Sequence, residues 1–261
     1  RAVTKLNKQG ENYEIKEILQ EISEDKTSSQ ETKNAVLGLF EAAETWGVFS
    51  TQGTEIESLI QGGKPTILDL SVYNSVGAFN VRALVIGLIS RKLFNKRMEA
   101  RKIEELEAVR HGIDYLAFKQ KRKTPLTWIF IDEIHEFLPS EGKTAATDAL
   151  VQLLREGRQP GISIVMATQQ PGALHRDAIT QSDIVISHRI TAFPDIKALN
   201  EMMQSYLLES IKKQMDDLPN LKGSAIILDD NSERIYPCRI KPRFTWHGGE
   251  APTAVKVERR I

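Results

Sequence analysis

One cysteine, Cys238, stands among 261 residues. An internal disulfide is therefore excluded, and a structural zinc site built on a Cys/His cluster has no basis in the sequence. No apolar run approaches the ~18 residues of a membrane span. Net charge is also missing, since 35 Lys plus Arg stand against 35 Asp plus Glu. The balance argues neither for nor against a nucleic-acid partner, so any basic surface is local. Nothing signals export, which leaves the cytoplasm as the expected compartment. The length allows one large domain or one and a half, and is ample for a substantial core.

What is present starts with Trp128-Ile129-Phe130-Ile131-Asp132-Glu133, an apolar run that ends in two adjacent carboxylates. A buried strand has no use for Asp-Glu at its tip unless something there needs them. In nucleotide hydrolases the first such acid holds the Mg²⁺ shell and the second polarises the attacking water. The partner motif, a Gly-rich G-x-x-x-x-G-K-[ST] turn whose amides cradle the phosphates, is absent. Gly142-Lys143-Thr144 has its ending, but Phe137 occupies the place of the first Gly. Gly62-Gly63-Lys64-Pro65-Thr66 precedes a predicted strand rather than a helix, and Pro65 removes an amide. The chain begins at Arg1 without Met or signal peptide. The expectation is the C-terminal part of a longer ATPase, cut downstream of its phosphate loop. The alternative is a degenerate ATPase that lost the loop.

The first sixty residues read as helical. Ile15, Ile18, Leu19 and Ile22 have helical spacing. Ser28 with Glu31 predicts a capping box for a second helix running towards Trp46 and ending at Gly47. A short helix spans Ile56 to Ile60. Thr66 to Leu70 predicts a buried strand, Phe79 to Phe94 an apolar helix, and Arg91 to Lys123 a charged helical stretch with a loop near Lys119 to Lys123. After the acid-tipped strand come a helix over Ala145 to Glu156, a strand over Ile162 to Thr168 and another over Asp183 to Ser187. Helices around Ile196 to Met203 and Tyr206 to Met215 follow. Ser224 to Leu228 and Ile235 to Ile240 predict a closing hairpin, with Pro237 favouring a sheet edge. Alternating strands and helices predict an α/β fold with a mainly parallel sheet and helices on both faces. The expected organisation is a helical segment over 1–63, a core over 64–247 and a tail over 248–261.

Ligands of a parallel α/β sheet gather at the carboxyl ends of its strands. Asp132, Glu133 and Gln169 all fall at such ends. A side-chain amide at Gln169 has the donors and acceptor to sense both a γ-phosphate and a water; Gln170 competes for that role. Arg158 lies before its strand, so at ~3.3 Å per residue its backbone is roughly 25–30 Å from its own site. It can serve a neighbour's site in a head-to-tail ring, where an arginine stabilises charge on the transferred phosphate. The bland reading is a surface Arg paired with Glu156, and Arg155 is the competing candidate. His135 gives Asp-Glu-Ile-His, not the His-Glu-x-x-His of a zinc protease, and reads as a hydrogen-bonded flank of the site. Arg91, Lys92, Lys96, Arg97, Arg101 and Lys102, with Lys119, Lys121, Arg122 and Lys123, are interleaved with Glu99, Glu104, Glu105 and Glu107 and read as a solvated helix face sooner than a DNA contact.

Together these residues form a resemblance. Trp128 to Pro139 resembles the Walker B region of the HerA-type ATPases, which stand with FtsK-type translocases and type IV secretion ATPases. Gly157-Arg158-Gln159-Pro160-Gly161 and Ala167-Thr168-Gln169-Gln170-Pro171 are similar to the family's Gly-Arg-Lys and Ala-Thr-Gln-x-Pro motifs, although Gln159 and Pro160 depart from the usual wording. Ile67-Leu68-Asp69-Leu70-Ser71 resembles the family strand after the helical insertion. Pro242-Arg243-Phe244-Thr245 with His247-Gly248-Gly249 is similar to the C-terminal segment. The resemblance implies a RecA-like, P-loop NTPase core, ATP and Mg²⁺ as cofactors, a homo-oligomeric ring of six, translocation along double-stranded DNA, and in part of the family a NurA-type nuclease partner. It implies Asp132 as Mg²⁺ ligand through water, Glu133 as catalytic carboxylate, Gln169 as sensor and Arg158 as arginine finger. It also implies a phosphate loop upstream of Arg1. The other readings are a secretion-type pump using the same engine and a non-catalytic assembly module derived from an ATPase.

Without amides to hold the phosphates, these 261 residues alone are expected to bind ATP poorly. Isothermal calorimetry on this polypeptide is expected to show no binding in the micromolar range; a micromolar Kd would contradict the reading.

Overall fold

The computed structural model describes residues 1–10, 13–50, 52–73, 81–111, 124–202, 208–232 and 234–245. They form two compact units, Arg1–Gln181 and Ser182–Ile261.

The first unit opens with three helices, α1 (Ala2–Gln9), α2 (Ile15–Glu24) and α3 (Gln30–Glu44). α2 buries Ile15 and Ile18 and packs against α3. The expected capping box at Ser28 and Glu31 is not the one that forms. Ser29 caps α3, accepting from Thr32 N, while Ser28 Oγ donates to Asp25. The capping box sits instead on α2, between Glu14 and Glu17. The short helix α4 (Ile56–Leu59) matches expectation.

Thr66 to Leu70 does not form the expected strand; it is unpaired, with Ile67 89% exposed. A β-rich run becomes a strand only when a neighbour takes its backbone hydrogen bonds, and no described residue does so. The two predicted helices beyond it are one, α5 (Val81–His111). The change from apolar to charged composition alters which face is wet, not the helix itself. Residues 79–80 and 112–123 of those two predictions lie outside the described residues. Along α5, Arg97 is not part of a solvated face, because it is fully buried.

β1 (Thr127–Ile131) and β2 (Ile162–Met166) pair in parallel, in register from Thr127↔Ile162 to Ile131↔Met166. Between them runs α6 (Thr147–Glu156), which buries Thr147, Ala149, Leu150 and Leu153. Side chains alternate across the two strands. Ile129, Ile162 and Ile164 meet Leu93 and Phe94 of α5 and Leu153 of α6 in one apolar cluster. Trp128 and Phe130 point to the other face and are exposed, so the expected burial of β1 holds on one side only. α5 approaches α6 closely at Gly87, where a Cβ would stand 2.6 Å from Ala145 O. α7 (Arg176–Thr180) closes the unit.

In the second unit β3 (Ile184–His188), β4 (Ser224–Asp229) and β5 (Arg234–Arg239) form an antiparallel sheet with β4 in the centre. The β4–β5 hairpin was expected, and Pro237 does lie on an edge strand. Helices α8 (Phe193–Met202) and α9 (Leu208–Asp217) supply Leu199 and Met215 to a core with Ile226 and Leu228. Of the predicted helix from residue 206, residues 206–207 lie outside the described residues.

Leu153→Ala is expected to cost about 2–5 kcal/mol in urea denaturation, because it hollows the α5–α6–β1–β2 cluster. Leu106→Ala, at an exposed position of α5, changes stability by no more than about 0.5 kcal/mol.

Candidate active site

Parallel pairing sends the chain out of β1 and β2 at the same edge. The two exits are then tied together. Ala167 N donates to Ile131 O at 3.0 Å, and Ile134 N donates to Ala167 O at 3.0 Å. Farther out, His175 N donates to Leu138 O at 2.9 Å and Ser140 N to Ala173 O at 2.8 Å. The loop after β1 therefore runs alongside the loop after β2, and Glu133 and His135 come to meet Gln169 and Thr168.

Glu133 is the one described non-glycine residue with positive φ, at 48°. A left-handed conformation at a bulky acid is unfavourable by itself. It turns the chain sharply into the 3-10 turn Ile134–Glu136, whose Ile134 is fully buried. Glu133 Oε1 accepts from Gln169 Nε2 at 2.7 Å. Its other oxygen, Oε2, is buried without a hydrogen-bond partner. It lies 3.5 Å from His135 Nδ1, a contact that is an ion pair only when the imidazole is protonated. His135 Nδ1 shares a hydrogen bond of 2.9 Å with Thr168 Oγ1, so His135 is the hydrogen-bonded flank that the sequence indicates. Gln170 contributes its backbone N–H, to Thr168 Oγ1 at 3.0 Å. Asp132 is exposed, and its Oδ1 accepts the Glu133 N–H at 3.0 Å.

This donor set fits one hydrated Mg²⁺. Among the described residues no group of three His, Cys, Asp or Glu side chains stands ready to enclose a metal. Mg²⁺ keeps several waters and takes one or two carboxylates plus substrate phosphates. A single exposed Asp beside a polar, incompletely satisfied Glu suits that pattern. The arrangement brings two carboxylates and one side-chain amide to the same edge. Among the described residues it includes no phosphate cradle. The decoy at Gly142-Lys143-Thr144 is spent on structure, with Lys143 Nζ 2.9 Å from Asp148 and Thr144 Oγ1 donating to Phe137 O at 2.6 Å.

Arg158 stands apart from this group, in the turn before β2 and so at the strand's opposite end. It is exposed. The expected alternative, a pair with Glu156, does not form; Glu156 accepts from Gln152 instead. Arg155, the competing candidate, is engaged, with Nη2 2.7 Å from Asp177 Oδ2. One contact beside the site was invisible in the sequence. Arg82 of α5 pairs with Glu136 at 2.7 Å and lies over the Phe137 ring at 5.8 Å. Only the fold brings residues so far apart in the chain together.

A profile of the ATPase family associated with various cellular activities (AAA) matches residues 84–190. The chain is 28% identical over 190 residues to a DNA double-strand break repair helicase HerA of Pyrococcus furiosus, a match covering 66% of this chain and 32% of the relative. It is 26% identical over 153 residues to a probable DNA double-strand break repair helicase HerA of Methanocaldococcus jannaschii, covering 55% of this chain and 30% of the relative. The chain thus spans about a third of the length of these curated relatives. Among solved structures it resembles B204, the DNA-packaging ATPase of Sulfolobus turreted icosahedral virus, at 18% identity and TM-score 0.44, covering 74% of this chain and 79% of that one. That likeness is too distant to bear on the site.

The link between the two loops is testable in this chain. A double-mutant cycle of His135→Ala and Thr168→Ala in chemical denaturation is expected to give a coupling of about 0.5–1.5 kcal/mol. Strictly additive losses would mean that the two side chains do not hold each other.

Proposed function

We propose that the chain is part of a HerA-type ATPase and that the whole protein is an ATP-driven motor that translocates double-stranded DNA. The observation that carries the reading is the 2.7 Å hydrogen bond from Gln169 Nε2 to Glu133 Oε1 across the tips of two parallel strands. Relatives described as DNA double-strand break repair helicases support the DNA substrate.

In this reading Asp132 would hold a hydrated Mg²⁺, and the ion would polarise the phosphoryl group of the triphosphate. Glu133 orients and polarises the attacking water once Gln169 has released its carboxylate. Gln169 exchanges its bond to Glu133 for one to the terminal phosphate, so its side chain distinguishes phosphate attached from phosphate gone. Arg158, at the far end of β2, acts on the site of the next subunit. That geometry calls for a head-to-tail homo-oligomeric ring, for which we take six subunits. A NurA-type nuclease is a partner to look for, and the cytoplasm is the expected compartment. No helix among the described residues is long and apolar enough to cross a membrane.

The test uses the whole protein. Glu133→Gln is expected to reduce ATP turnover by a factor of about 10² or more while leaving nucleotide affinity nearly unchanged. Normal turnover would remove Glu133 from the mechanism. Duplex DNA is expected to stimulate hydrolysis. An active ATPase indifferent to DNA would point to a secretion-type pump, and an inactive one to a non-catalytic assembly module.

A further inference from the structure

The turn joining α6 to β2 is held more firmly than a solvent-facing connection requires. Gly157 N donates to Leu153 O and Ile162 N to Gly157 O, both at 2.8 Å, and Gly161 N donates to Arg158 O at 3.2 Å. Gly157 admits no side chain, because a Cβ there would stand 2.4 Å from Leu153 O. Gly161 has φ +79°, and the Pro160 side chain is fully buried. The remaining hold comes from a distant residue. Arg97 of α5, with no exposed surface, donates from Nε to Pro160 O at 2.8 Å and from Nη1 to Thr124 O at 2.7 Å. Its Nη1 also lies 3.2 Å from Glu104 Oε1, and its Nη2 is buried without a hydrogen-bond partner.

A buried guanidinium is costly, and an apolar side chain of similar volume is often the more stable occupant of such a place. What an apolar side chain cannot do is grip two carbonyls at once in fixed geometry, which the planar fork of arginine does. The two carbonyls belong to the segments entering β2 and β1. Between α6 and Pro160, on the restrained turn, stands Arg158, exposed and making no side-chain hydrogen bond or ion pair with a described residue. The turn is fixed and the guanidinium it carries is free. The same helix is anchored at its other end to the loop carrying the acid pair, through Arg82 and Glu136. From residue 82 to residue 97 is about 22 Å of helix. One rigid strut therefore touches both the acid loop and the turn of Arg158.

We propose that Arg97 is a positioning residue for Arg158: its clamp on Pro160 O and Thr124 O sets the height and direction at which Arg158 is offered to a neighbouring subunit. This rests on the reading of Arg158 as an arginine acting across a subunit boundary. Small displacements of a group that must meet a transition state cost far more in rate than in binding. Loss of Arg97 therefore acts on the neighbour's kcat and leaves the subunit's own nucleotide affinity in place.

The experiment compares Arg158→Ala, Arg97→Lys and the double variant Arg97→Gln/Glu104→Gln in the whole protein, with Glu133→Gln subunits as mixing partners. The double variant removes both members of the buried pair and so leaves no orphan charge. It is expected to lower kcat roughly tenfold to a hundredfold with KM for ATP nearly unchanged. Mixing with Glu133→Gln subunits restores activity, because they bring an intact turn to the double variant's intact acid pair. Arg97→Lys keeps the charge but not the fork, so it gives an intermediate kcat. In hydrogen exchange both Arg97 variants speed the amides of Gly161 and Ile162, while those of Ile134 and Ala167 at the other end stay protected. Should the double variant fail to fold, Arg97→Lys carries the test alone. Wild-type kcat and exchange in the Arg97 variants, with Arg158→Ala inactive, would overturn the role of Arg97 and leave Arg158 standing. A loss of kcat that mixing does not restore would mark Arg97 as structural only and equally overturn the proposal. Full activity in Arg158→Ala would instead bring down the reading on which it rests.

Discussion

Everything at the site depends on β1 and β2 running in the same direction, in register from Thr127↔Ile162 to Ile131↔Met166. Parallel pairing is what places Asp132, Glu133 and Gln169 at one edge. Antiparallel pairing would carry Gln169 to the other end of the ribbon. A slip of one residue would exchange the faces of a strand, exposing Ile162 and Ile164 and burying Ser163 and Val165. The apolar cluster of Leu93, Phe94, Leu153 and Ile162 holds the register from one side. The loop-to-loop hydrogen bonds of Ile134, Ser140 and His175 hold it from the tip.

That scaffold carries two unfavourable features, one at the candidate site and one behind the turn of Arg158. Glu133 sits in the left-handed region at φ 48°, and its Oε2 is buried with no hydrogen-bond partner, 3.5 Å from His135 Nδ1. Arg97 sits fully buried, with one nitrogen likewise unsatisfied. Local strain and incomplete polar satisfaction persist where the surroundings over-determine them, and such places are frequently functional. The helices and close contacts of the first unit follow ordinary rules. α6 buries one face and α3 has a serine cap. Gly87 and Gly157 stand where a side chain has no room.

Much of this was legible in the sequence because its signals are local. The run Trp128 to Ile131 is β-rich and ends in acids, so both its strand and the candidate site follow from neighbouring residues. Thr66 to Leu70 carries an equally β-rich signal and yet is no strand, since pairing depends on a partner that local composition does not report. α5 was divided at its change of composition, although a helix responds to spacing and breakers, and no proline interrupts it. α1 and α7 left too little periodic pattern in eight and five residues. At the site, Asp132, Glu133 and Gln169 could be brought to one edge by strand logic alone. The left-handed turn at Glu133, the His135–Thr168 bond and the Arg82–Glu136 pair could not, because each follows from three-dimensional proximity. Arg97 shows the limit most clearly. Among alternating Arg, Lys and Glu it reads as a surface charge, and only packing reveals it as the most deeply buried cation described.

The central claim is that the tips of two parallel strands are arranged around a metal-bound triphosphate. An experimental structure of the whole protein with Mg²⁺ and a non-hydrolysable ATP analogue tests it most directly. The account predicts Asp132 in the outer shell of the ion, Glu133 facing a water in line with the terminal phosphate, and Gln169 released from Glu133 towards that phosphate. A nucleotide bound elsewhere, with the bond between Gln169 and Glu133 intact and both acids turned away from it, would contradict it.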